Sequence, residues 1–378
     1  MAKSIYIHIP FCEHICFYCD FNKVYVENQP VDAYIDALIT EMEMVFSAQP
    51  PDQIETVYIG GGTPTALSSA QLDKLLRAVD EMLSGHPVKE YTVEVNPGGA
   101  DAEKLKVMSQ YSINRLSLGV QSFDDDLLKA IGRTHREKDV YFTIEEAKKN
   151  GFSNISIDLM FGLPNQTIEQ WRESIMKTVA LNLPHVSAYS LKIEEKTIFH
   201  NMMRKGKLSL VPQDDEAEMY EILLQQMSRS LLHPYEISNF AKEGYESLHN
   251  QTYWANEEYY GFGAGAHGYL AGVRYANIGP LPHYLSAVQE NNLPIKESHN
   301  VTLQEKMEEE MFMGLRMDKG VDKQRFLRKY QKSIEEVFSR QISSLEEEDL
   351  IINEMETIRL TQRGKLLGNE VFERFLLI

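Results

Sequence analysis

Short runs rich in β-branched and aromatic residues alternate with longer stretches of helical period through the first 230 residues. Residues 4–8 (Ser-Ile-Tyr-Ile-His) read as a strand, and residues 31–48 as a helix with Tyr34, Leu38 and Met42 on one face. A strand at 55–59 and a helix near 70–83 follow. Further strands are predicted at 90–95, 115–119, 154–160 and 185–191, with helices near 101–111, 139–150 and 168–181 between them. A polar insertion at 194–213 precedes the last helix of the series, 214–230. Six such units predict a parallel sheet flanked by helices. Right-handed crossovers curl that sheet into a partial (β/α)6 TIM-like barrel, so the expected class is α/β.

The pattern changes near residue 235. A stretch rich in Gly, Tyr and Asn leads to about residue 300, and from Leu303 the chain turns helical and charged, closing with Thr357–Leu360 and another helix. The expected organisation is a barrel over 1–235, a connecting region over 236–300 and a smaller helical or α+β domain over 301–378.

Charge and hydropathy narrow the function classes. With 56 acidic against 38 basic residues the net charge is −18, which argues against an extended nucleic-acid interface. The apolar runs fall far short of the roughly 20 residues a bilayer crossing needs. No hydrophobic segment stands where a secretory leader would. A cytoplasmic protein without an integral membrane segment is the expectation.

All three cysteines, Cys12, Cys16 and Cys19, fall within eight residues on the loop after the first strand. An odd number so closely spaced cannot form a disulfide framework and fits a reducing compartment. The C-x3-C-x2-C spacing gathers soft thiolates suited to an iron–sulfur cluster or to zinc. A cubane has four irons, so three thiolates leave one iron open to another ligand. The competing reading is zinc, completed by His8 or His14. Zinc sites usually draw on two separated pairs of ligands, however, and no second pair is present.

In barrels of this kind, ligands bind at the carboxyl ends of the strands. Candidate residues stand there one after another. Gly60-Gly61-Gly62-Thr63-Pro64 follows the second strand, Glu94 closes the third, Gln121 follows the fourth, and Asp158 lies near the end of the fifth. Bare glycine backbone is expected to approach a ligand closely and offer N–H donors. A turn or a cap explains any one of these; the succession, counting the cysteine loop, predicts a site.

The cysteine spacing at the top of a first strand resembles the radical S-adenosylmethionine superfamily. Residues 5–12 (Ile-Tyr-Ile-His-Ile-Pro-Phe-Cys), the triple glycine, 119–123 (Gly-Val-Gln-Ser-Phe) and 158–164 (Asp-Leu-Met-Phe-Gly-Leu-Pro) are similar to the oxygen-independent coproporphyrinogen oxidase family and its relatives. The resemblance implies a 4Fe–4S cluster on Cys12, Cys16 and Cys19 whose open iron binds S-adenosylmethionine, and one-electron cleavage to a 5′-deoxyadenosyl radical. It implies that Tyr6, Gly61, Gly62, Thr63, Glu94, Gln121, Arg133 and Asp158 contact S-adenosylmethionine, with Tyr18 beside the cluster. For Arg133 the competing reading is a surface salt bridge.

Two departures separate the chain from the oxidases. Phe21 occupies the place of a fourth cysteine, and eleven residues precede Cys12 where the oxidases carry a long amino-terminal arm. Residues 235–241 (Tyr-Glu-Ile-Ser-Asn-Phe-Ala) and 249–254 (His-Asn-Gln-Thr-Tyr-Trp) are instead typical of the haem-chaperone branch of that family. This resemblance implies a chaperone that binds haem as cargo and passes it to apoproteins, with cluster and S-adenosylmethionine assisting. It also implies association with the membrane periphery, for which no amphipathic anchor is visible. His249 is then the expected haem-iron ligand, since imidazole is a common donor to haem iron. Tyr253 and Trp254 offer flat apolar surface. The competing reading of 249–254 is a capped and packed junction between domains. Two other functions stay open: radical oxidative decarboxylation of coproporphyrinogen III, and a zinc-stabilised binding module.

Overall fold

A computed structural model describes residues 2–377. Strands β1 (Ser4–Ile9), β2 (Thr56–Gly61), β3 (Glu90–Val95), β4 (Arg115–Gln121), β5 (Asn154–Phe161) and β6 (His185–Ser190) lie side by side in that order, every neighbouring pair parallel. Helices α1 (Val31–Ala48), α2 (Ser69–Met82), α3 (Ala102–Met108), α4 (Glu137–Lys149), α5 (Ile168–Ala180) and α6 (Gln213–Arg229) follow them, all at the expected places. Ser68 and Thr167 open α2 and α5 with reciprocal side-chain caps, as their Gln residues three places on allow.

The strands carry a two-residue alternation that decides what the barrel can hold. Ile7, Val57, Val93, Leu116, Ile157 and Val186 are buried against the helices in one large core. On the other parity stand Tyr58, Glu94, Arg115, Ser117, Asp158 and Ser187, which line an interior cavity. The lumen is polar while the barrel wall is apolar. Such an interior is built for a ligand rather than for packing.

Among the described residues the sheet has nine strands rather than six. The antiparallel strands β7 (His233–Pro234) and β8 (Asn239–Ala241) extend it beyond β6, and β9 (Tyr260–Phe262) lies parallel to β1 at the other edge. Both edges of the six-stranded array are thereby covered, which removes rows of unpaired backbone groups. The stretch 236–300 therefore does more than connect. A second apolar core, from Met307 to Phe375, organises the carboxyl-terminal helices around a three-stranded antiparallel sheet. Among the described residues no helix is long and apolar enough to cross a membrane.

Candidate functional site

Beyond β1 the chain leaves the barrel as a loop, and Phe11–Cys12 pairs with Val24–Tyr25 in a short ladder. Cys12 is buried at its base, and Cys16 and Cys19 are half-buried. Between them the Phe17 N–H donates to the Ile131 carbonyl at 3.0 Å, and the Phe17 carbonyl accepts from Phe199 N–H at 2.9 Å. Phe199 lies fully buried with Leu127, Leu128, Ile131, Met160 and Leu163 beneath the loop, its ring 6.1 Å from that of Phe17. Burying one such phenyl ring stabilises by about 1.5–3 kcal/mol. The polar insertion at 194–213, which carried no sequence motif, thus buttresses the cysteines.

All three cysteines line one cavity of about 340 Å³. The Thr63 hydroxyl donates to Cys12 Sγ at 3.6 Å, Arg133 Nη1 to Cys16 Sγ at 3.5 Å, and Lys23 Nζ to the Cys19 carbonyl at 2.5 Å. Burial pushes the Cys12 thiol up and that of Cys19 to about 11, Lys23 opposing the second shift. Thiolates here need cationic partners, which a metal supplies. Among the described residues no three His, Cys, Asp or Glu side chains converge as a single ion requires. Zinc draws its ligands to within about 2.0–2.3 Å of one centre, whereas a cubane bonds each thiolate to a different iron. The donor set fits the cluster better than zinc.

The strand-end residues close the cavity from the other sides. Glu94 accepts from the Tyr58 hydroxyl at 2.7 Å and from the Gly61 N–H at 3.1 Å, and burial raises its carboxyl to about 7. Asp158 accepts from the Ser117 hydroxyl with both oxygens at 3.2 Å, and burial raises it as well. Gln121 is the last residue of β4 and has φ 65°, at a register shift between β4 and β5. The bulge turns a side chain that lines the cavity, at the cost of a backbone conformation uncommon for a non-glycine residue. Tyr18 and Thr63 also line the cavity.

Arg133 is no surface ion pair. Its Nη2 donates to Asn96 Oδ1 at 2.9 Å and to the Gly119 carbonyl, while its Nε is buried without a partner. Asn96 Nδ2 in turn donates to Thr63 Oγ1 at 3.0 Å. Arg133, Asn96, Thr63 and Cys12 therefore form one hydrogen-bonded chain across the rim. Asn96 reads in sequence as part of a turn before Pro97; its position directly beyond the last residue of β3 is the signal that marks it.

Two expectations are corrected. The glycines do not hold open donors toward a ligand: Gly61 N–H is taken by Glu94, and Gly62 N–H donates to the Ile9 carbonyl at 2.8 Å. A Cβ on Gly61 would stand 2.3 Å from the His8 ring, and one on Gly62 2.7 Å from the Ile9 carbonyl oxygen. These residues are glycine so that β1 and the cysteine loop can lie against β2. Gly61 and Gly62 nonetheless line the cavity, whereas Tyr6 is not among its lining residues. It stacks behind Tyr58, ring centres 6.2 Å apart, and its hydroxyl bonds His8 Nδ1 at 2.9 Å.

The cavity reaches down to residues that carried no signal in spacing alone. Arg115, the first residue of β4, is 1% exposed, with contacts of 3.4 Å to Thr92 Oγ1 and His185 Nδ1. Asn250 lines the same cavity from helix α7 (Leu248–Trp254).

His249 lies elsewhere. It sits at the amino ends of the strands, 1% exposed, with Nδ1 bonded to Thr56 Oγ1 and Nε2 to the Tyr253 hydroxyl, each at 2.9 Å. Its ring stacks on Tyr58 with centres 5.2 Å apart, and burial holds the imidazole neutral, its pKa about 3. In this conformation neither nitrogen is open to an iron. The surroundings are those of a packed junction. The Glu90 carboxylate takes Ser247 Oγ and the N–H groups of Leu248 and His249 at the start of α7. At its end, Arg325 donates to the Ala255 carbonyl at 2.5 Å, and Arg316 lies between the Trp254 and Phe372 rings at 5.3 and 4.5 Å.

Comparison with known proteins places this geometry. Residues 6–177 match the Radical SAM superfamily and residues 301–367 the HemN C-terminal domain. The chain is 52% identical to the "Heme chaperone HemW" of Bacillus subtilis (strain 168), over 99% of both chains. It is 48% identical to the protein of the same name from Lactococcus lactis, over 99% of this chain and 97% of that one. Among solved structures, the coproporphyrinogen III oxidase HemN of Escherichia coli superimposes with a TM-score of 0.85 at 22% identity. The match covers 99% of this chain and 90% of that one, and shows a shared fold. The chain belongs to the radical SAM superfamily, in the family of the heme chaperone HemW, and that membership implies a 4Fe–4S cluster and S-adenosylmethionine as its cofactors.

Proposed function

We propose that this protein is a haem chaperone that binds haem and hands it to apoproteins, with a 4Fe–4S cluster on Cys12, Cys16 and Cys19 and S-adenosylmethionine beside it. One observation carries the reading: 52% identity along 99% of both chains to a protein named as a heme chaperone. Phe21, 59% exposed next to the cysteines, supports it, because the oxidases have a cysteine at that place.

When bound, S-adenosylmethionine supplies a sulfonium that one electron from the cluster can cleave. The chain's own residues bind and orient it. Glu94 would accept from the amino group, and Arg133, whose Nε is buried without a partner, would donate to the carboxylate. Asp158 and Gln121 would hold hydroxyl or ammonium groups, as their acceptor atoms allow. Tyr18 would lie beside the cluster. His249 is the proposed ligand to haem iron, and it can serve only after α7 shifts and gives up the bonds to Thr56 or Tyr253. Cytoplasmic residence, which suits three unpaired thiols, and contact with the membrane periphery belong to the same proposal.

The test begins with anaerobic reconstitution and then titrates haem with and without S-adenosylmethionine. Wild type should take up iron and show a Soret shift that His249→Ala loses. Material that stays colourless and iron-free overturns the cluster, and an unchanged haem spectrum in His249→Ala removes that ligand. Formation of protoporphyrinogen from coproporphyrinogen III would overturn the chaperone reading in favour of the oxidase.

A further inference from the structure

The three cysteines are held by three different anchors. Cys12 is fixed by the ladder that Phe11–Cys12 forms with Val24–Tyr25, where the Val24 N–H donates to the Pro10 carbonyl at 2.7 Å. Cys16 is fixed by its neighbour Phe17, bonded through its backbone to Ile131 and Phe199. Cys19 is held by local contacts: the turn closed by its own N–H on the Cys16 carbonyl at 3.3 Å, a hydrogen bond from the Phe21 backbone, and the contact of Lys23 Nζ with its carbonyl. The first firm attachment beyond it is Asn22.

Asn22 is bonded three times, to partners far away in sequence. Its Nδ2 donates to the carbonyls of Ala264 and Gly279 at 2.8 and 3.0 Å, and its own carbonyl meets His8 Nε2 at 2.7 Å. It sits in a cradle of two glycines. A Cβ on Gly265, which has φ 77°, would fall 2.6 Å from the Asn22 Cβ, and one on Gly279 would fall 3.1 Å from its Oδ1. The far wall of the cradle is itself rigid. The Tyr34 hydroxyl donates to the His8 carbonyl and accepts from Ala264 N–H, at 2.7 and 3.1 Å. Buried Glu41 accepts from Gly263 N–H, Asn277 Nδ2 and the Tyr284 hydroxyl at 2.9, 2.6 and 2.6 Å.

We infer that Asn22 is a positioning residue for the cluster: it clamps the Cys19 end of the cysteine loop to the segment Gly263–Gly279 and so fixes the third thiolate relative to the barrel rim. The inference rests on the cluster reading above. Groups that orient metal ligands without touching the metal change affinity by about 10–100-fold when removed. Asn22 has the geometry of such a group, and its side-chain amide is the only part that can donate to both carbonyls at once. Aspartate has the same shape but places carboxylate oxygens against two carbonyl oxygens, whereas alanine leaves both carbonyls without that donor.

The experiment reconstitutes wild type, Asn22→Ala, Asn22→Asp and Gly265→Ala anaerobically. It measures iron release to a ferrous chelator, the midpoint potential, the electron paramagnetic resonance spectrum with and without S-adenosylmethionine, and the thermal midpoint of the apoprotein. We expect release at least about ten-fold faster in both Asn22 variants. A shifted potential and an altered spectrum should accompany it, with the apoprotein midpoint close to wild type. Gly265→Ala should reproduce the effect from the opposite side of the cradle. Release and potential equal to wild type in both Asn22 variants overturn the inference. So does release that rises only in parallel with a lowered thermal midpoint, which marks a purely structural role. A wild-type protein that takes up no iron instead overturns the underlying cluster reading.

Discussion

Glu94 is a carboxylic acid that its own surroundings hold near neutrality, since burial raises it to about 7 while the Tyr58 hydroxyl and Gly61 N–H work against that shift. A ligand that needs the carboxylate must therefore displace a proton below that pH. The affinity for S-adenosylmethionine should fall as pH drops from 8 to 6 in wild type. Glu94→Gln should bind about 10–100-fold more weakly and lose most of that dependence, as expected for removing a hydrogen bond to a charged group; calorimetry on the reconstituted protein checks both. The pKa of His249 is shifted the other way, downward. Its pKa is about 6.5 unfolded and about 3 folded, so the unfolded state takes up the proton first. The stability it contributes is present above about pH 6.5 and is lost as pH falls below it. From pH 7 to pH 5 the wild-type advantage over His249→Gln should shrink by roughly 2 kcal/mol, measured by urea unfolding. The difference between the two proteins is the quantity to read, because His135 and His185 are also held below their ordinary range. At this scale the three cysteines and the residues at the carboxyl ends of the strands were legible, because spacing places them beside one another. Arg115 and Tyr58 were not, because inward and outward positions differ only by parity, and a single sequence does not say which parity faces a lumen.

Helix α7 shows what a short element owes to its neighbours. Seven residues form too few internal bonds to persist alone. The Glu90 carboxylate at one end and Arg316 and Arg325 at the other hold it in place. Glu90→Gln removes charge from three donors and should cost about 1–3 kcal/mol, visible as faster amide exchange across residues 248–254. If His249 is the haem ligand, the same substitution should tighten haem binding, because the competent conformation is then populated more often. Weaker or unchanged haem binding with the expected gain in exchange would remove His249 from the haem site. The strand–helix alternation was legible because each barrel strand buries an apolar face, and each of α2, α4 and α5 a stripe of helical period. The edge strands β8 and β9 escaped it: three residues each are too short for any period to register, and the barrel strands they join, β6 and β1, lie far off along the chain.

At the scale of the whole molecule two apolar cores meet along a charged seam. Glu310 is buried there, paired with Arg325 at 2.7 Å and Lys329 at 2.8 Å, and it accepts from the Tyr330 hydroxyl at 2.9 Å. The same two cations reach over to the carbonyls of Ala255 and Asn256 just beyond α7. Glu310→Ala leaves Lys329 without its counter-charge and Arg325 with Glu257 alone; both cations are about a third exposed, so the cost should fall below the roughly 3–5 kcal/mol of a fully buried pair. The loss falls on the carboxyl-terminal core and on the end of α7. The cysteine cavity should be spared, since every residue lining it lies at or before Asn250. Scanning calorimetry of the reconstituted variant should therefore show the carboxyl-terminal unit melting at lower temperature as a separate transition, while the absorbance of the cluster persists until the barrel unfolds. A single transition that takes the cluster with it would mean that the two cores unfold as one, and that the seam transmits stability rather than dividing it.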